Sequence, residues 1–158
     1  MRHVISVLVE NKFGVLARIA GLFSARGFNI ESLAVGETHD PAISRMTIVV
    51  DARDERILEQ IKKQLHKLID IITVWDLTEK DYVDRELVLV KIKCSPEQEK
   101  SLNAVLGKHR AKLVDLQNTL AVIEAVGDEK AIRLLLDELK KFEVVELVRT
   151  GRIAIVKG

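Results

Sequence analysis

Across residues 3 to 10, Ile5, Val7 and Val9 alternate with Ser6 and Glu10, a period of two that predicts a strand with one buried face. Val15, Leu16, Ile19, Ala20, Leu22 and Phe23 then fall on one side of a 3.6-residue period, and Gly27 stands where a left-handed helix cap is favoured. Two further strands are expected at Ile30 to Glu37 and Arg45 to Asp51, joined by the turn Thr38-His39-Asp40-Pro41-Ala42. Asp54 is placed to cap a second helix whose stripe is Ile57, Leu58, Ile61, Leu65 and Leu68, and Ile71 to Leu77 closes the unit as a strand.

Thr78 to Arg85 holds five charged residues among eight and reads as a linker, after which the order repeats. Leu87 to Cys94 is a strand, and Ser95-Pro96-Glu97-Gln98 opens a helix. Lys112 to Leu116 and Leu120 to Val126 are strands, Asp128 opens the last helix over Ile132, Leu135, Leu136 and Leu139, and Val144 to Val148 follows. Arg152 to Val156 is expected to add an edge strand. Both halves read strand, helix, strand, strand, helix, strand, which is the split βαβ or ferredoxin-like pattern. The expected fold class is therefore α+β, with one domain at 1–77, a linker at 78–85 and a second domain at 86–158.

The turn Glu10-Asn11-Lys12-Phe13-Gly14 leads from the first strand into a helix whose first turn has no acidic or hydroxyl side chain of its own. Such an end either is capped by Asn11 or holds an anion, because free N–H groups carry partial positive charge and Gly14 lets a ligand approach the backbone. The repeat supplies a comparison. In the second half Ser95, Pro96 and Gln98 form a capping signal, and Glu97 and Glu99 place negative charge where an incoming carboxylate would sit. No acid occurs from Asn11 through Asn29, whereas Lys12, Arg18 and Arg26 are basic. Asn29, in Gly27-Phe28-Asn29-Ile30-Glu31-Ser32, either bonds its own turn or orients a small ligand.

Composition narrows the function classes. The chain has 158 residues, a formal charge of +1 with both signs interspersed, and one cysteine, Cys94. No global field favours nucleic acid or membrane surfaces, and no intrachain disulfide framework is available. No apolar run approaches the roughly 20 residues of a membrane span, and Met-Arg-His begins no signal-peptide core, so a soluble cytoplasmic protein is expected. The charge-rich composition suits a heat-adapted source. RNA-recognition modules share the topology but need aromatics on the central strands, where this chain has none; Phe13, Phe23, Phe28 and Phe142 fall elsewhere. His3, His39, His66 and His109 lack a shared metal-ligand spacing and read as surface or helix-edge residues. Cys94 continues the Val88, Val90, Ile92 alternation and reads as a buried structural thiol, and Trp75 as a partly buried strand residue. No nucleophile, acid–base pair or metal constellation points to catalysis.

With these residues in view, the chain resembles the small regulatory subunits of acetolactate synthase (acetohydroxyacid synthase), which carry an N-terminal ACT domain. The resemblance rests on Ser6-Val7-Leu8-Val9-Glu10-Asn11, Gly14-Val15-Leu16, Gly21-Leu22-Phe23-Ser24 and Arg26-Gly27-Phe28-Asn29-Ile30-Glu31-Ser32-Leu33. Ser44-Arg45-Met46-Thr47-Ile48 and the run from Leu58 to Leu68 add to it, with a looser match from Arg85 to Ile92 and from Val144 to Val148. It implies a noncatalytic subunit that activates a large catalytic partner bearing thiamine diphosphate, Mg and FAD, and that confers feedback inhibition by a branched-chain amino acid, usually valine. It also implies a homodimer through the ACT domain. The effector would be held by Asn11, Lys12, Phe13, Gly14, Val15 and Leu16 of one chain and Asn29 and Ile30 of the other. Ala17 and Gly36 stand near that region, where other members can carry Ser and Ala. Open sheet edges fit self-association. Leu87 and Leu89 alternate with the buried positions of their strand, so the second sheet is expected to have apolar residues on both sides and a further contact surface, for the partner or for interdomain packing. A stand-alone amino-acid sensor, or a regulatory subunit of another enzyme, is the other reading of the same features.

Overall fold

The computed structural model describes residues 2–52 and 54–158. The chain forms two compact units: one holds the residues up to Val83 together with Arg152–Gly158, the other Asp84–Gly151.

In the first unit the elements are β1 (Arg2–Glu10), α1 (Val15–Ala25), β2 (Ile30–Glu37), β3 (Ile43–Asp51), α2 (Glu55–His66) and β4 (Ile71–Asp76). The sheet order is β2-β3-β1-β4, with antiparallel neighbours that place Val7 opposite Met46 of β3 and Val74 of β4. The period-two pattern of β1 explains the core: Ile5, Val7 and Val9 face the same side as Met46, Ile48 and Val50. On that side lie Val15, Ile19 and Phe23 of α1 with Leu58, Ile61 and Leu65 of α2. Each such fully buried side chain contributes about 1.5–3 kcal/mol relative to exposure. Gly27, at φ +71°, ends α1 by donating its amide to the Ser24 carbonyl at 3.0 Å. Asp54 caps α2 as expected, its Oδ1 accepting from the Arg56 amide at 2.9 Å.

β4 ends at Asp76, whose Oδ1 accepts from the Thr78 amide at 3.0 Å. Partial burial pushes the Asp76 carboxyl up, but the Thr78 hydroxyl and amide and the Lys62 ammonium outweigh it and hold the group below its ordinary value. A depressed carboxyl stabilises the fold above the unfolded pKa of about 3.9, and that contribution is lost as pH falls further. Asp76→Asn is therefore expected to lower stability near neutrality and to lose that deficit relative to wild type as pH drops from about 5 to 2. Urea unfolding across that range would show the two curves converging, and parallel curves would remove Asp76 from the acid response.

The second unit repeats the order. β5 (Tyr82–Lys93) leads through a short 3-10 turn into α3 (Glu99–His109), followed by β6 (Lys112–Gln117), β7 (Leu120–Gly127), α4 (Glu129–Leu139) and β8 (Glu143–Arg149). The order is β6-β7-β5-β8. Val88, Val90, Ile92, Ala121 and Ile123 meet Leu102, Val105, Ile132, Leu135 and Leu139 in the core. The fold class is thus tandem ferredoxin-like α+β. On the other side of this sheet Leu87 is opposite Val126 and Leu89 opposite Val148, with Leu89, Val126 and Val148 39%, 60% and 54% exposed. The outer face of the second sheet thus carries exposed apolar residues, interspersed with the Lys91–Glu146 ion pair.

Three expectations differ from what is found. β5 begins at Tyr82 and runs through half of the expected linker, because Tyr82 to Arg85 is charged yet extended and β9 (Ile153–Val156) pairs with β5. The residues expected to finish the second domain return to the first unit instead. Ala154 packs with Val4, Val49 and Leu77, and the Arg152 amide donates to Ser32 Oγ at 2.8 Å. His3 is not a surface residue: it is buried in β1, with Nδ1 3.2 Å from the Thr78 hydroxyl. Cys94 is buried as expected, and burial pushes its thiol pKa up, away from the thiolate form. Trp75 is half-buried, with the Arg45 guanidinium 5.2 Å from its ring centre.

Candidate effector site

The loop between β1 and α1 is tied down by backbone bonds. The Glu10 amide donates to the Asp70 carbonyl at 2.9 Å, Asn11 to Ala42 at 2.8 Å and Lys12 to Glu10 at 2.9 Å. Gly14 takes the N-cap position of α1 at φ +83° and ψ −6°, a left-handed conformation that favours glycine. No side chain caps this end. Asn11 is not the cap: its Nδ2 donates to the Pro41 carbonyl at 2.9 Å and to Glu37 Oε1 at 3.2 Å, which fastens the loop to the end of β2.

The other helices are closed differently. Asp54 and Asp128 cap α2 and α4 through their carboxylates, and Ser95 and Gln98 form a capping box before α3. Each also has an acid in its first turn, namely Glu55, Glu129 and Glu99, whereas α1 has none. Before α3 the Glu97 carboxyl is held below its ordinary value, first by a bond from its own amide and then by the Ser95 hydroxyl. Glu97 and Glu99 thus place negative charge at that end, whereas the first turn of α1 carries no acid.

Around Gly14 the expected site residues separate. Phe13 is fully exposed and Leu16 44% exposed, presenting apolar surface beside the uncapped end. The Lys12 ammonium lies 2.6 Å from Glu10 Oε2, and the bond it donates to Glu10 raises its pKa. The Val15 side chain is 3% exposed and belongs to the core, and its amide reaches back to the Lys12 carbonyl at 3.4 Å. Helical phase explains this, since Val15 shares a face with Ile19 and Phe23.

Asn29 and Ile30 do not meet this loop within one chain. Ile30 is level with Val50 and His3 at the start of β1, whereas Glu37, which holds Asn11, is level with Ser44 at the other end. Seven residues of extended chain separate the two groups by about 23 Å. Asn29 is exposed and Ile30 partly buried on the core. Ala17 and Gly36 are both exposed, Gly36 directly beside Glu37.

One residue of the loop's surroundings is Arg18. Its Nη1 lies 3.1 Å from where a Cβ on Gly14 would stand, and its Nε and Nη2 donate to Asp70 Oδ2 at 2.9 and 2.6 Å. The i, i+4 spacing from Gly14 is the sequence signal that places this guanidinium at the helix end. Among the described residues no group of three or more His, Cys, Asp or Glu could hold a metal ion. No helix among them is long and apolar enough to cross a membrane.

Residues 5–73 match the family described as AHAS small subunit-like ACT domain, and residues 85–158 the family described as small subunit of acetolactate synthase. The chain belongs to the acetolactate synthase small-subunit family. A probable acetolactate synthase small subunit of Archaeoglobus fulgidus is 47% identical over 158 residues, covering 100% of this chain and 98% of that protein. The acetolactate synthase small subunit of Bacillus subtilis is 39% identical, covering 100% of this chain and 92% of the relative. The crystal structure of the small subunit from Thermotoga maritima superposes with a TM-score of 0.89 at 34% identity, covering 100% of this chain and 98% of the other. Small subunits of this family are the regulatory partners of the enzyme, so the first unit is an ACT domain within a regulatory subunit.

Proposed function

We propose that this chain activates the large catalytic subunit of acetolactate synthase and makes it subject to feedback inhibition by valine. The observation that carries the reading is the uncapped start of α1 at one end of β2, with Asn29 and Ile30 at the other end. β2 is an outer strand. If two copies join antiparallel along β2 about a two-fold axis, each loop from Asn11 to Leu16 meets Asn29 and Ile30 of the other copy, which makes two identical sites. The exposed flank of α1 supports close approach: Ala17, Gly21 and Ser24 are small and exposed, and a Cβ on Gly21 would meet nothing within 4 Å.

Such a site suits an apolar amino acid. A helix N-terminus favours a carboxylate by about 0.3–1 kcal/mol when exposed and by more when partly buried. Burying the side chain of valine against Phe13 and Leu16 adds about 1.5–3 kcal/mol, and the amide and carbonyl of Asn29 suit the ammonium and carboxylate. In this reading thiamine diphosphate, Mg and FAD belong to the catalytic partner, this chain carries no cofactor, and the complex works in the cytoplasm.

The test is the activity of the catalytic subunit with and without this chain, across a valine titration. The expected result is a rise in rate on adding the chain and a fall on adding valine. Valine binding with no effect on that enzyme would favour a stand-alone amino-acid sensor or a regulator of another enzyme. No binding and no effect would overturn both halves of the reading.

A further inference from the structure

The sheet order leaves β4 as the second outer strand of the first unit, and pairing along β2 would leave it open. A cleft of about 430 Å³ lies between β4 and α2, lined by Lys62, Lys63, His66 and Lys80, by Asp76, and by Val74 and Trp75 of β4. Glu59 and Asp76, the two acids lining it, both engage Lys62. Lys63 and Lys80 have no salt-bridge partner among the described residues, so the cleft has a cationic surplus. Ile72 on β4 is 48% exposed, and Ile69 just before it is 94% exposed. Lysines beside an edge often guard it against pairing, but two exposed isoleucines work against that role. An open backbone edge, apolar anchors and unpaired cations together suit a strand that brings its own hydrogen bonds and negative charge.

We infer that the β4 edge and its cleft dock an extended, acidic segment of the catalytic subunit by strand addition, with Lys63 and Lys80 reading its carboxylates. This rests on the reading that the chain serves that subunit. The position also joins the surface to the effector loop. β4 starts one residue after Asp70, whose carboxylate is gripped by Arg18 and whose carbonyl accepts from the Glu10 amide. A change at the Gly14 loop has a short route to the docked strand.

The experiment titrates the catalytic subunit with wild-type chain, with the double variant Lys63→Glu/Lys80→Glu, and with Ile72→Lys, following acetolactate formation and co-sedimentation. All three positions are solvent-facing, and thermal melts check that the variants fold. The expected result is that each variant needs about tenfold more chain for half-activation, the scale of a few lost or reversed surface charge contacts. Added salt should shift the wild-type midpoint more steeply than that of the double variant. Valine titration calorimetry of the isolated chain should be unchanged in both variants. Wild-type and variant midpoints that coincide, with wild type activating normally, would overturn this inference. A wild-type chain that does not activate the enzyme would instead overturn the proposed function beneath it.

Discussion

Replacing Gly14 with aspartate is expected to abolish valine binding and the feedback response while the fold survives. At φ +83° a side chain is strained by about 1–2 kcal/mol. Aspartate is among the residues that tolerate this region best, and as an N-cap it gains only a few tenths of a kcal/mol over glycine, so the variant loses about 1 kcal/mol, which the fold survives. The effect on binding is larger. The new Cβ would stand 3.1 Å from Arg18 Nη1, so its carboxylate would lie beside the guanidinium and the α1 amides together. It would do at α1 what Glu97 does before α3, occupying the end of the helix with fixed negative charge. An incoming carboxylate would meet both bulk and like charge. Gly14→Ala separates these terms, since it adds strain without charge, and is expected to weaken binding by less. Calorimetry of Gly14→Asp showing wild-type valine affinity would sink the assigned site, and a melt near the wild-type temperature would establish that loss of binding is not loss of fold.

Mixing two defective variants is expected to restore binding that neither has alone. Gly14→Asp damages the loop half of the site, and Asn29→Ala the half that lies about 23 Å away on the same chain. A homodimer of either has no intact site. In a mixed dimer one site combines both defects, while the other joins a wild-type loop to a wild-type Asn29. Random exchange of subunits then makes about a quarter of all sites intact, because half the dimers are mixed and each has one good site of two. Calorimetry after mixing and re-equilibration reads this stoichiometry directly. No recovered binding, with subunit exchange demonstrated by a tagged chain, would mean that the two segments do not share a site across a two-fold axis.

The reach of sequence reasoning followed the range of the interactions involved. The strand from Ile30 to Glu37 and the caps at Asp54 and Asp128 were legible because alternation and capping are local. The contrast between the helix starting at Val15 and the one after Ser95 was legible for the same reason. The role of Asn11 was not: its partners Glu37 and Pro41 are 26 and 30 residues away, and they draw the side chain off the helix it precedes. Val15 belongs to the expected site only through the family resemblance, and the helical phase that buries its side chain is itself in the sequence. His3 reads as polar and therefore exposed, and only the approach of Thr78, 75 residues on, satisfies it inside.

By itself the sequence determined the two ferredoxin-like repeats, the family to which they belong, and the helix start left without an acidic or hydroxyl side chain, because periodicity and capping act over a few residues. Only the tertiary structure decided that residues 152–158 return to the first unit, that Arg18 joins the Gly14 end to Asp70, and that Asn29 lies at the far end of β2 from the loop. These depend on strand order and register, which are set by packing between segments that no local pattern relates.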